Sequence, residues 1–166
     1  MPISYIDYPS GVAGTRFTIE KMFDLVAKGR ANPTVIQTAT IITRNIPHKD
    51  YFGEAAAIFD YVKKDIRYTR DPRGVELLMA PEITLKRGAG DCDDLAIVIA
   101  SLAEAVGMQS GFETVRANAQ APDEFTHVYA IIRTDRGWRA ADPTVAGSWF
   151  GWRPNAGVYG RKIWTR

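Results

Sequence analysis

Apolar residues recur with a helical period over the first two-thirds or so of the chain and with a period of two after that. Residues 18–28 carry Ile19, Met22, Phe23 and Val26 at helical spacing, closed by Gly29. The residues before about Phe17 are rich in Pro, Gly and Ser and read as an extended arm or loop. Pro33 suits the first position of a second helix through Val35, Ile36, Ala39 and Ile42, ended by Asn45 and Pro47. Thr34, Thr38, Thr40 and Thr43 weaken it, because β-branched residues are poorer helix formers. Asp50 can cap a third helix whose Phe52, Ala55, Phe59, Val62 and Ile66 form one stripe.

Residues 66–69 read as a short strand, Asp71-Pro72-Arg73-Gly74 as a turn, and residues 76–86 carry no decisive pattern. From Cys92 to Val106 the chain is helical but apolar almost all round, which places that helix centrally, with Gly107 as its left-handed cap. Residues 112–116, 126–133 and 138–141 then alternate as strands, with a turn at Asp135-Arg136-Gly137. Helices followed by an antiparallel sheet predict a single α+β domain over residues 1–166. Its parts are an N-terminal arm and helices (1–49), a core (50–145) and an irregular Trp- and Gly-rich tail (146–166).

Composition narrows the function. A hydrophobic content of 46% and a charged content of 24% are those of a soluble globular domain. A net charge of +2 calls for neither nucleic acid nor a membrane surface as partner. The N-terminal residues lack the basic and apolar regions of a secretory signal, and no apolar run is long enough to span a membrane; the expected location is the cytoplasm. One cysteine excludes an internal disulfide framework or a multi-cysteine zinc site. Gly88-Ala89-Gly90 lacks the spacing and lysine of a nucleotide-binding loop, so no cofactor is expected.

That cysteine, Cys92, stands in Gly90-Asp91-Cys92-Asp93-Asp94, where a turn becomes the central helix. A lone cysteine is commonly a core filler, but one between two aspartates calls for a polar environment. Asp91 is a good N-cap and Asp94 can complete an acidic capping box. The helix start favours a thiolate, whereas the three carboxylates oppose it, and the sequence leaves that balance open. An imidazolium nearby would make the thiol react with alkylating agents faster than a free one at neutral pH.

Of the two histidines, His48 reads as a surface residue in a polar turn. His127 lies in the alternating run with Tyr129 and Ile131. If Arg133 pairs with Trp138 across the turn, Tyr129 lies opposite Asp142 and His127 is the diagonal neighbour of Asp142, roughly 7–8 Å away between backbones. Asp142-Pro143 also reads as an ordinary strand-ending turn. Asp91, Asp93 and Asp94 lack the spacing of a calcium loop, and Cys92, His127 and Asp142 make a poor zinc set, so no metal is expected.

Gly90-Asp91-Cys92-Asp93-Asp94-Leu95-Ala96, Thr126-His127-Val128-Tyr129 and Trp138-Arg139-Ala140-Ala141-Asp142-Pro143-Thr144 together resemble the transglutaminase-like superfamily of papain-fold cysteine enzymes. In look they are nearest to its small bacterial and phage-encoded members. The resemblance covers about residues 50–145 and implies a central nucleophile helix packed on an antiparallel sheet. It also implies Cys92 as nucleophile, His127 as general base and acid, and Asp142 as the residue that orients His127. Tyr68 is a candidate oxyanion donor. The expectation is a cysteine hydrolase cleaving an amide or peptide bond of a protein or peptide substrate through an acyl-enzyme. The alternatives are a protein-glutamine amine transferase and a catalytically silent assembly protein, for instance of a phage particle, contacting a partner through its arm and tail.

Overall fold

The computed structural model describes residues 11–72 and 77–166. Within them the order is α1 (Gly11–Gly29), α2 (Pro33–Thr43), α3 (Tyr51–Asp65), β1 (Arg67–Tyr68), α4 (Pro81–Arg87), β2 (Ala89–Gly90), α5 (Cys92–Ala105), β3 (Gln109–Arg116), β4 (His127–Thr134), β5 (Gly137–Ala141) and β6 (Gly160–Thr165). None of these helices is long and apolar enough to cross a membrane.

Local chemistry sets several boundaries. Asn32 caps α2 by accepting from the Thr34 N–H at 2.9 Å, with Pro33 at the first helical position. Thr38, Thr40 and Thr43 return their hydroxyls to the carbonyls four residues back, so the threonines fit the helix despite their low propensity. Asp50 caps α3 through the Gly53 N–H at 2.9 Å. The β4–β5 hairpin supports the same helix start, with Asp135 Oδ1 accepting from the Phe52 N–H at 2.8 Å.

Two expectations are corrected here. Residues 11–17 are helical rather than an arm, because α1 buries Gly14 along with Ile19, Met22, Phe23 and Val26, and burial overrides the low propensity of glycine. Residues 1–10, the rest of that expected arm, lie outside the described residues, as does part of the Asp71–Gly74 turn. The patternless stretch 76–86 leads into α4, which starts on Pro81 and ends at Gly88 in the left-handed conformation (φ 65°).

The second correction concerns the tail, which is not wholly irregular. The main sheet has the strand order β5-β4-β3-β6, all antiparallel, with β6 on β3 in the register Phe112↔Trp164. Only glycine fits at position 111, since a Cβ there would stand 2.5 Å from the Trp164 carbonyl oxygen. The indole N–H of Trp164 donates to Thr114 Oγ1 at 2.9 Å. Gly160, Arg161, Lys162, Thr165 and Arg166 hide this strand from a search for apolar alternation. As an edge strand it has less to bury.

One face of the sheet, with Phe112, Val128, Ala130, Ile132 and Ala141, packs into the core formed by the helices. The other face holds Val115, Tyr129, Ile131 and Ala140, against which Trp138 and Val158 pack. On that second face Glu113 is fully buried and accepts from the Tyr129 hydroxyl at 2.6 Å. Arg153 reaches it with two guanidinium donors, at 3.1 and 2.5 Å. Arg161 donates to the Tyr129 hydroxyl at 3.2 Å and to the Pro154 carbonyl. These contacts tie the chain after Phe150 to the sheet. Arg153→Ala should cost about 1–3 kcal/mol in urea unfolding, below the full cost of stranding a buried ion because Arg153 is half exposed. Adding Glu113→Gln to that variant should recover part of the loss.

Candidate active site

The nucleophile candidate is held at the polar tip of an apolar helix. Asp91 Oδ1 accepts from the Asp94 N–H at 3.1 Å and Asp94 Oδ2 accepts from the Asp91 N–H at 3.2 Å, a reciprocal capping box that fixes the first turn of α5. Asp94 Oδ1 also accepts from the Met79 N–H at 2.9 Å, which ties the segment before α4 to this start. Gly90 is required next to it, because a Cβ there would lie 2.7 Å from Asp94 Cβ. Tyr68 and Gly90 are partners in the parallel β1–β2 pair, so Tyr68 enters the neighbourhood of Cys92. Among the described residues no three His, Cys, Asp or Glu side chains converge as metal ligands.

Cys92, the first residue of α5, is a free and partly buried thiol. Burial pushes its pKa well up, and the carboxylates of Asp93 and Asp91 push it further, against a smaller opposing contribution from the Val128 backbone N–H. Burial first, and the acidic neighbours after it, therefore favour the protonated sulfur. That direction runs against the expectation of fast alkylation. The sulfur donates to Asp93 Oδ1 at 3.6 Å, and no described hydrogen bond joins it to His127. Its contact with Val128 puts it beside the residue that follows His127 on β4.

The β4–β5 hairpin has the anticipated register, Arg133 opposite Trp138 and Ala130 opposite Ala141. His127 Nε2 meets Asp142 Oδ2 at 2.7 Å. A carboxylate only accepts, so Nε2 carries the proton and Nδ1 is left as the basic nitrogen. The His127 ring also lies 5.9 Å from that of Tyr129, centroid to centroid. Asp142 is fully buried. Burial alone would raise its pKa, but the His127 hydrogen bond and charge, with donors from Thr144, hold it below the ordinary carboxylate value. Thr144 supplies both its N–H (3.1 Å) and its hydroxyl (2.7 Å) to Asp142 Oδ1. Asp142 is thus at once a turn residue and the partner of His127, and Asp-Pro-Thr, read as an Asx-type turn, would have pointed to Thr144 from sequence. Burial raises the pKa of the Tyr68 phenol, against a smaller lowering by Arg70, which keeps it a neutral donor.

The described residues supply a thiol at the start of α5 and, on the β4–β5 hairpin, an imidazole held by a buried carboxylate. A model of the transglutaminase-like superfamily matches residues 37–143, more than half of the chain. The chain belongs to the transglutaminase-like superfamily. The matched span of this transglutaminase-like domain contains Cys92, His127 and Asp142. Solved structures share the fold at low identity. A candidate protease from Parabacteroides distasonis superposes with a TM-score of 0.62 at 14% identity, over 86% of this chain and 27% of that one. A candidate cysteine protease from Cytophaga hutchinsonii gives 0.54 at 17% identity, over 85% and 51%. LapG of Legionella pneumophila in its calcium-bound form gives 0.57 at 13% identity, over 89% and 87%. The chain therefore spans about a quarter of the first of these and half of the second. Comparison with curated proteins finds no match. With its helices packed on an antiparallel sheet, the α+β transglutaminase-like domain has the papain-like architecture of the superfamily.

The site generates two predictions. Iodoacetamide should alkylate Cys92 at pH 7 more slowly than a small free thiol, and Asp93→Asn should speed the reaction by removing a carboxylate next to the sulfur. A rate-against-pH midpoint below that of an exposed cysteine would contradict this. The second concerns Asp94, whose carboxyl is pushed up to about 7, chiefly by burial. The folded protein binds this proton more tightly than the unfolded chain. Its stabilising contribution is therefore complete below the ordinary value of 3.8 and lost as pH rises through about 7. Denaturant unfolding at several pH values should show that decline in the wild type and a flatter profile in Asp94→Asn.

Proposed function

We propose that this protein is a cysteine-nucleophile hydrolase that cleaves an amide or peptide bond in a protein or peptide through an acyl-enzyme. The observation that carries the reading is the 2.7 Å hydrogen bond from His127 Nε2 to the buried carboxylate of Asp142. That bond fixes the imidazole tautomer and leaves Nδ1 free to take a proton.

Because the Cys92 thiol is protonated at rest, attack and deprotonation are coupled. Sγ bonds to the substrate carbonyl carbon as its proton moves to Nδ1 of His127, and the carbonyl electrons move onto oxygen. The buried Asp142 stabilises the imidazolium that forms. As the first residue of α5, Cys92 has a backbone N–H with no acceptor within the helix, so it can donate to the oxyanion, and the Tyr68 hydroxyl is the side-chain candidate for a second donor. Collapse of the tetrahedral intermediate breaks the C–N bond, and the imidazolium returns its proton to the leaving amine. Water, deprotonated by His127, then attacks the thioester and releases the acid and the thiol. We favour water over an amine because an amine transferase must shield its thioester in an apolar tunnel. No tryptophan occurs before Trp138 to build one, and Trp149 lies largely exposed.

The test is a mass-resolved assay with glutamine-containing peptides and a labelled primary amine. Hydrolysis or deamidation without incorporation is expected, lost in Cys92→Ala and reduced about 100- to 10,000-fold in Asp142→Asn. Efficient incorporation of the amine would make the protein a transferase. Turnover that persists in Cys92→Ala would remove the nucleophile.

A further inference from the structure

Asp142 stands at the head of a loop, so its carboxylate meets His127 only if residues 143–148 hold their course. Lys63, near the end of α3, reaches into that loop. Its ammonium donates to the Ser148 carbonyl at 2.6 Å, to the Ser148 hydroxyl at 2.8 Å and to the Val145 carbonyl at 3.1 Å. An ammonium has three donors, and all three are used on loop oxygens. None of the described salt bridges includes Lys63. The buried Ser148 hydroxyl in turn donates to the backbone carbonyl of Asp142 at 2.8 Å. A continuous chain of hydrogen bonds therefore runs from the α3 ammonium to the residue that holds His127. The far end of the loop is pinned to the same helix by Phe150, whose ring lies 5.2 Å from that of Phe52 and 6.2 Å from that of Phe59.

We infer that Lys63 is a positioning residue for the catalytic machinery: through Ser148 it sets the place of Asp142 and thereby the orientation of His127. The functional meaning rests on the hydrolase reading above; the structural claim does not. An ammonium suits the task because it organises three acceptors from a single point, and the Phe59 ring, 5.7 Å away, gives it an electron-rich face. Without it, the Ser148 carbonyl and hydroxyl lose this donor, the Val145 carbonyl keeps only the Ser148 N–H, and the Ser148 bond to Asp142 loses its anchor on α3. Displacing a catalytic partner by about 1 Å is enough to cost rate.

Nitrogen-15 NMR of the His127 ring tests this in the full chain. In the wild type, the ring shifts should report a dominant Nε2–H tautomer with a slowly exchanging, downfield proton. Lys63→Met keeps the length of the stem and removes all three donors, and Ser148→Ala removes the link alone. Both should give mixed tautomers and a faster-exchanging proton in a protein that still folds by circular dichroism. Lys64→Met, on the exposed neighbour, should change nothing. In the peptide assay, Lys63→Met should lower kcat about 10- to 100-fold with little change in KM. A folded Lys63→Met protein with wild-type tautomer and exchange overturns the inference; should that variant fail to fold, the same result in Ser148→Ala does so. A wild type without turnover would defeat the hydrolase reading while the NMR comparison still decides the role of Lys63.

Discussion

A helix that is apolar on every side must be covered on every side, and α5 is such a helix. Every residue from Asp94 to Ala103 is buried. Its large aliphatic side chains are worth roughly 1.5–3 kcal/mol each when removed from water. The other helices and strands β3 and β4 supply the cover. That demand fixes where chemistry can occur. At the first turn of α5 a reciprocal pair of carboxylates closes the backbone while Cys92 takes the first helical position.

The same burial decides the state of the thiol. Desolvation, with Asp93 and Asp91 beside the sulfur, favours its protonated form, and for that reason the proposed reaction moves the proton during attack. The Asp142–His127 bond commits Nε2 as the donor and leaves Nδ1 as the acceptor nitrogen, which is what the proposed hydrolase requires of its base. Cys92 stands at a helix tip and His127 and Asp142 on a hairpin, and the two elements pack together where α5 lies on β4.

The second face of the sheet adds support from behind. Buried Glu113 and Tyr129 form a polar network with Arg153 and Arg161, which reach in from the surface, so that the tail pairs a carboxylate the sheet cannot expose. Tyr129 belongs both to this network and to the surroundings of the His127 ring, so the tail and His127 share a neighbour. The loop between Asp142 and Phe150 is held in turn by α3, so the carboxylate is fixed from two sides.

What the sequence determined by itself is what short-range physics controls. The stripes of α1 and α3, the Asn32-Pro33 and Asp50 starts, the all-round apolar α5 with its Asp91/Asp94 box, and the β4–β5 register are written in residues at most a few turns apart. His127 and Asp142 could be paired in advance because a hairpin relates them by counting. Tertiary structure decided the rest. The helical course of residues 11–17 depends on what α1 packs against. The strand at Gly160–Thr165 depends on the bare backbone of Gly111, far away in the chain. The links from Lys63 to Ser148 and from Arg153 to Glu113 join residues 85 and 40 positions apart, beyond the range of any periodicity. The protonation of Cys92 was open in the sequence because a helix start and three carboxylates pull in opposite directions. Only the depth of burial, which the three-dimensional packing sets, gives that contest a sign.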